Sequence, residues 1–273
     1  MQTHPRFLTS VEPNPYSHLV EEVAASINLN GVNYAVMMTT PDNFEDFVIG
    51  FLFGEGIIQN DRDVHDIHLT EIEDGYLLDV TLANRCLFAL KQRKRRLVGA
   101  TGCGICGVEA MGHALPNLPK LVPTLPIDLH DVQGLKAQID AWQVKAKHSG
   151  AIHAAFALSS DGNVIRCRED IGRHNALDKL IGSLLRQSPT ENAAHCDALI
   201  ITSRLSSELI QKAVRYGASN LISLASPSQL AVKLAMRYHL NLIHIPKFDP
   251  PIYYTNANPE RVADCGERYA CSY

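Results

Sequence analysis

Long apolar runs are missing from this chain. No stretch reaches the roughly 18 consecutive apolar residues of a membrane span. The start, Met1-Gln2-Thr3-His4-Pro5-Arg6, is polar and unlike a secretory leader. These absences predict a cytoplasmic protein with reduced thiols. An excess of positive charge is missing too. The net charge is -4, which argues against a global attraction to nucleic acid. There is no phosphate-binding P-loop, and no Gly-x-Gly-x-x-Gly follows a strand, so the common nucleotide fingerprints are absent. Internal repeats and low-complexity segments are absent as well. The seven cysteines are an odd number with one tightly spaced pair, which is no disulfide framework.

What remains is ordinary globular material. The 273 residues, 46% hydrophobic and 20% charged, suffice for one large domain or two modest ones around a buried core. Residues 1–17, with Pro5, Pro13 and Pro15, read as an irregular lead-in. Val32 to Met38 is predicted as a strand. Pro41-Asp42-Asn43 marks a helix start, followed by Phe44, Phe47, Val48, Phe51 and Leu52 at the spacing of one helix face. Glu45 and Asp46 fall in its first turn, where negative charge suits the helix dipole. Gly54 and Gly56 stop it. Tyr76 to Leu82 reads as a second strand. Pro116, Pro119, Pro123 and Pro126 mark the best candidate boundary inside the chain. Asp131 to Lys147 is predicted helical, with Val132, Leu135, Ile139 and Trp142 on one side.

The second half is more regular. Ala151–Leu158 and Val164–Arg168 form a predicted hairpin over the turn Ser160-Asp161-Gly162-Asn163. A helix then buries Ala176, Leu177, Leu180, Ile181, Leu184 and Leu185. Strands at Ala198–Thr202, Asn220–Ala225 and Leu240–Ile245 alternate with helices at Leu205–Tyr216, capped by Ser206, and at Ser228–Tyr238. This alternation predicts right-handed crossovers and a mostly parallel or mixed sheet.

Thr101-Gly102-Cys103-Gly104-Ile105-Cys106-Gly107 is the segment richest in chemistry. Its glycines leave two thiols on an accessible backbone. Three chemistries are open to such a pair. A structural zinc site needs four ligands, and no second Cys-x-x-Cys exists; His113, His153, Cys265 and Cys271 are the candidate partners. Thioredoxin-like exchange places the motif at a helix start, which Gly102, Gly104 and Gly107 disfavour. Sulfur carriage needs an accessible arm and a positive setting for an anionic persulfide. The run Lys91-Gln92-Arg93-Lys94-Arg95-Arg96 just before the loop provides that setting. Taken alone, the run also reads as a solvated loop. A zinc deaminase would need His-x-Glu before Pro-Cys-x-x-Cys. Here His153-Ala154-Ala155 lacks the Glu and follows the cysteines.

Arg168-Glu169-Asp170-Ile171-Gly172-Arg173-His174-Asn175 is a dense polar cluster between a strand and a helix. It suits either anion binding at the helix N-terminus, with Arg173 adding charge, or ordinary capping by Asp170 or Asn175. Thr202-Ser203-Arg204 and Ser226-Pro227-Ser228 leave strand ends, where open α/β sheets bind ligands.

These residues together resemble the FdhD family, sulfurtransferase accessory proteins of formate dehydrogenase. The resemblance runs in order over most of the chain. It begins with Val20-Glu21-Glu22-Val23-Ala24, Ala35-Val36-Met37-Met38-Thr39-Thr40-Pro41 and Gly50-Phe51-Leu52-Phe53-Gly54-Glu55-Gly56-Ile57-Ile58. It continues through the cysteine loop and His153-Ala154-Ala155 to the long stretch Arg168–Lys179. The resemblance implies a cytidine-deaminase-like α/β fold, a mixed sheet flanked by helices. A smaller N-terminal α+β subdomain precedes it. The expected divisions are 1–126 with the cysteine loop, 127–256 as the core domain, and a tail at 257–273 bearing Cys265 and Cys271.

The resemblance also implies a function. Sulfur is taken from a cysteine desulfurase as a persulfide on Cys103, assisted by Cys106. It is passed to the molybdenum cofactor, bis-molybdopterin guanine dinucleotide, before insertion into formate dehydrogenase. The cofactor is a bound acceptor, and no intrinsic metal is expected. Its binding segment corresponds to Ile245-Pro246-Lys247-Phe248-Asp249-Pro250, where Pro250 replaces a basic position of the family. Arg173, Arg204 and Lys247, with the basic run, are expected to help hold it. A homodimer is implied, with no nucleic-acid partner and no membrane span. The rival readings are a non-catalytic chaperone that binds and delivers the cofactor, and a zinc-binding structural module.

Overall fold

The computed structural model describes residues 19–90, 116–187 and 196–255. Strands β1 (Val23–Leu29) and β2 (Val32–Thr39) pair antiparallel. Their two-residue turn is Asn30-Gly31, with φ of 47° and 76°. This Asn-Gly geometry matches the right-handed twist of a hairpin. After helix α1 (Phe44–Gly54) come β3 (Val64–Ile72) and β4 (Gly75–Leu82). β4 inserts parallel to β1, giving a four-stranded sheet in the order β2-β1-β4-β3.

A six-stranded mixed sheet is built from the second half. Helices α2 (Val132–Trp142) and α3 (Ala146–Ser149) lead into the hairpin β5 (His153–Leu158) and β6 (Val164–Asp170). Then α4 (Arg173–Leu185), β7 (Ala198–Ile201), α5 (Ser207–Tyr216), β8 (Asn220–Ser223), α6 (Gln229–Tyr238) and β9 (Asn241–His244) alternate. The short β10 (Ile252–Tyr253) closes the edge. The order is β10-β9-β8-β7-β5-β6, with β7, β8 and β9 parallel. The expected mixed sheet flanked by helices is therefore present, together with the second α+β layer.

The predicted elements of the second half are found within a few residues of their expected ends. Strands β1 and β3 escape the sequence reading. The exposed residues of β3, including His65, Asp66, His68 and Glu71, break the alternation that signals a strand. The helix expected over Asp131–Lys147 ends at Trp142, and α3 follows as a separate turn.

One hydrophobic core joins both sheets. Ala25, Ile27, Leu78 and Val80 from the first meet Phe47 and Leu52 of α1, Leu177 and Leu180 of α4, and Leu199 and Leu221 of the second sheet. The other face of the second sheet is covered by Leu135 and Ile139 of α2. The crossing of α1 on α4 is tight because both helices present glycine there. A Cβ on Gly50 would lie 1.8 Å from the Asp178 carbonyl oxygen, and one on Gly182 would lie 1.9 Å from the Asp46 carbonyl oxygen.

The proline-rich stretch forms neither helix nor strand. It is strapped to the end of α6 and the start of β9. The Tyr238 hydroxyl donates to the Pro116 carbonyl at 2.8 Å, and Leu121 N donates to the Tyr238 carbonyl. Asn241 Nδ2 donates to the Thr124 carbonyl. Among the described residues no helix is long and apolar enough to cross a membrane.

Candidate functional site

The stretch Arg168–Lys179 divides into two populations. The first is a buried charge network. One Asp170 oxygen accepts from Thr39 Oγ1 at 2.6 Å, Thr40 Oγ1 at 2.9 Å and Thr40 N at 3.1 Å, with Lys179 Nζ at 2.7 Å. The other oxygen accepts from Gly172 N and Asn175 Nδ2. Asp170 and Lys179 are both fully buried. Burial works to raise the Asp170 carboxyl, but Lys179 and the hydrogen-bond donors hold it below its usual range. Lys179 also donates to Asp42 Oδ1 at 2.6 Å. Arg168 donates twice to Asp46 Oδ2, at 2.6 and 2.8 Å, and Arg186 donates to its Oδ1 at 2.7 Å. Glu169 accepts the amides of Lys145 and Ala146 and so caps α3. Asp178 receives Lys212 Nζ on both oxygens, at 2.6 and 2.8 Å. Burial pushes Asp178 up to about 6, with Lys212 pulling it back. These charges have their partners, and they tie β2, α1, α4 and α5 together.

The second population lies at one edge of the six-stranded sheet. Because β7, β8 and β9 run parallel, their carboxyl ends meet there, and three loops leave side by side. Leu224 N donates to the Ile201 carbonyl at 3.0 Å, Ser228 N to Leu205 at 3.0 Å, and Ile245 N to Ser223 at 2.8 Å. The antiparallel β5 begins at this edge with His153, opposite Asp170 at the end of β6. Helix α4 therefore also starts here, presenting Arg173 and His174. Open α/β sheets take their ligands at such an edge.

Among the described residues, four buried side-chain atoms lack a hydrogen-bond partner: Ser206 Oγ, Ser223 Oγ, His244 Nδ1 and His174 Nε2. All belong to this edge. Ser223 and His244 end β8 and β9 and face each other across the register. Ser206 holds the N-cap position of α5, but its hydroxyl makes no capping bond. His174 Nε2 makes no hydrogen bond, but Glu208 Oε2 lies 2.7 Å away and is its partner when the ring is protonated. Each unpaired buried polar atom costs about 1–3 kcal/mol. Burial depresses the His174 pKa, opposed by Glu208 and reinforced by Arg173. Burial, then Arg173, also depresses that of His153. Both rings are therefore biased towards the neutral form.

Of the predicted ligand residues, Arg173 and Arg204 are exposed at this edge. In the segment after β9, Ile245 is buried, Pro246 is half-buried, and Lys247, Phe248, Asp249 and Pro250 are exposed. Lys247 Nζ lies 5.3 Å from the centre of the Phe248 ring. Lys136 of α2 fixes the segment from behind, donating to the carbonyls of Pro246 at 2.8 Å and Lys247 at 3.0 Å. The sequence reading missed Ser223, His244 and Lys136. A polar residue closing an apolar strand, as in Leu221-Ile222-Ser223 and Leu242-Ile243-His244, was the available signal for the first two.

Cys103, Cys106, the basic run 91–96, Cys265 and Cys271 lie outside the described residues. The three described cysteines are poor nucleophiles. Burial pushes Cys86 and Cys196 up to about 11, and Cys167 up to about 12. Among the described residues, no three His, Cys, Asp or Glu side chains are grouped to hold a metal ion.

The profile of the FdhD/NarQ family matches residues 20–263. A sulfur carrier protein FdhD from Bordetella bronchiseptica is 34% identical over 249 residues, covering 90% of this chain and 87% of the relative. One from Cupriavidus necator is 37% identical over 245 residues, covering 89% and 83%. A crystal structure from Desulfotalea psychrophila, of a protein described as a formate dehydrogenase accessory protein, superposes with a TM-score of 0.62. It shares 24% identity and covers 89% of this chain and 90% of its own. That likeness extends the fold, and the sequence matches establish the kinship: the chain belongs to the FdhD/NarQ family.

Proposed function

We propose that this protein is a sulfur carrier that serves formate dehydrogenase, taking sulfur from a cysteine desulfurase onto Cys103 and passing it to a molybdenum cofactor held at the sheet edge. The observation that carries the reading is the set of unpartnered buried atoms on Ser206, Ser223 and His244, with His174 beside them. They lie at an edge where Arg173, Arg204 and Lys247 supply positive charge. Such a set fits a ligand that is both anionic and rich in hydrogen-bonding groups, as bis-molybdopterin guanine dinucleotide is. The high thiol pKa values of Cys86, Cys167 and Cys196 leave thiolate chemistry to the other cysteines, which include the glycine-flanked pair.

In this reading Cys103 thiolate attacks the outer sulfur of the desulfurase persulfide, and the desulfurase cysteine leaves as thiolate. Cys106 thiolate then attacks the inner sulfur of the Cys103 persulfide. Hydrosulfide is released towards the bound acceptor, and a Cys103–Cys106 disulfide remains. An external dithiol reduces that disulfide and resets the pair. Arg173, Arg204 and Lys247 hold the phosphates of the acceptor, and the edge residues orient it.

Incubation with a cysteine desulfurase and cysteine, followed by intact mass measurement, is expected to show one added sulfur that Cys103→Ala abolishes. In a host lacking this protein, wild type restores formate dehydrogenase activity and Cys103→Ala does not. Rescue by Cys103→Ala would overturn the carrier reading in favour of a non-catalytic cofactor chaperone.

A further inference from the structure

The charge of this chain is segregated. Residues 19–82 contain thirteen Asp and Glu residues but one cation, Arg62, in a chain with 29 acidic residues and 25 Lys plus Arg. Some of these carboxylates are used internally, as Asp42, Asp46 and Asp63 are by Lys179, Arg168 and Arg85. Glu21, Glu22, Glu71, Glu73 and Asp74 are exposed. The pairing of Ala24 with Gly75 sets Glu21 and Glu22 beside the β3–β4 turn, Glu73-Asp74. Four carboxylates therefore gather at one end of the four-stranded sheet, while Glu71, in the row of Tyr76 and Ala25, belongs to the other face.

The outer face of that sheet begins at the same end. One row across it is Met38, Ala24, Gly75 and Ile72, and the next is Val36, Ser26, Leu77 and Thr70. The inner face carries the fully buried Ala25, Ile27 and Leu78, whereas Val36, Met38 and Ile72 are 60%, 49% and 48% exposed. Neither row contains Lys or Arg. The surface is an apolar centre with an acidic rim.

We propose that this face docks the positively charged mouth of the enzyme that receives the cofactor, cofactor-free formate dehydrogenase. The inference rests on the cofactor-transfer reading above. An enzyme that admits a polyanionic dinucleotide gains from a cationic entrance, and an acidic rim is complementary to one. The face is also next to the ligand edge. Met38 O accepts from Asn175 Nδ2 at 2.7 Å, and Thr39 and Thr40 bind Asp170, so the β6–α4 turn with Arg173 adjoins it. A second copy of this chain is a poor occupant, because a two-fold contact would set carboxylates against carboxylates.

The test is binding of the full-length chain to purified cofactor-free formate dehydrogenase at ~50 mM and ~200 mM salt. Wild type is expected to bind, more weakly at the higher salt. The triple variant Glu22→Lys, Glu73→Lys, Asp74→Lys is expected to lose at least about tenfold in affinity and its salt dependence. Val36→Thr with Met38→Thr, which adds no charge, is expected to lose about threefold. Both variants should keep the wild-type melting temperature and still load sulfur on Cys103. Failure of Cys103 loading in every form would remove the carrier reading without bearing on the docking result. Wild-type affinity in both variants, no binding by wild type, or loss of self-association in place of enzyme binding would each overturn the docking proposal.

Discussion

Asp170 and Arg173 are separated by two residues and belong to different kinds of site. Around Asp170 every carboxylate oxygen is met, by hydroxyls, amides or Lys179. Past Arg173, at the strand ends, the buried hydroxyls of Ser206 and Ser223 and the His244 Nδ1 have no hydrogen-bond partner. Folding a charge into the first region is compensated on the spot, so that region serves as scaffold. The second region carries a cost that folding does not recover, which is what a site awaiting a polar ligand does. Density of charged residues therefore did not mark the site in this stretch; lack of partners did.

Substitutions should separate the two regions by which property they damage. Asp170→Ala leaves Lys179 buried beside fewer countercharges. It is expected to cost about 3–5 kcal/mol of stability, measured by denaturant unfolding, and a loss below about 1 kcal/mol would remove the scaffold reading. Gly50→Ala drives a methyl into the Asp178 carbonyl and is expected to cost about 1–3 kcal/mol, seen as a lower melting temperature. At the other region, Arg173→Ala with Arg204→Ala should leave melting unchanged and weaken cofactor binding about tenfold, or about 1.4 kcal/mol. Ser223→Ala should raise apoprotein stability by up to about 1 kcal/mol, since it deletes an unpaired hydroxyl, while weakening cofactor binding. A stability loss there would mean that Ser223 belongs with the scaffold.

The smallest expected effect concerns pH. The folded pKa values of His153 and His174 lie below the usual 6.5, so the unfolded chain binds protons first. The stability these rings allow is fully present above pH 6.5 and falls as pH drops below it towards the folded values. Asp178, raised to about 6, acts with the opposite sign, so the comparison is between wild type and His174→Gln. The variant should lose less stability than wild type between about pH 8 and about pH 5.5.

The sequence was informative where one residue type has one meaning. Apolar runs such as Ala198-Leu199-Ile200-Ile201 gave the second sheet, and from it the edge with Arg173 and Arg204. Asp46 was harder. It sits in the first turn of α1, where a dipole role is the natural reading, yet it is buried and holds Arg168 and Arg186 from distant elements. The turn Asn30-Gly31 is a hairpin signal that the sequence reading passed over, and β1 lacked a run long or regular enough to stand out. Ser223 and His244 could be noticed as polar residues closing apolar strands, but their lack of partners is a property of three-dimensional surroundings.

Lys136 grips the segment after β9 through the carbonyl oxygens of Pro246 and Lys247. A carbonyl is the same at every residue. The path of this segment is therefore anchored at those two carbonyls, independently of the side chains beside them. Lys247 and Phe248, both exposed, can therefore change side chain without loosening that hold. Under the proposed function, ligand preference at this segment can drift by single substitutions while that backbone hold stays in place.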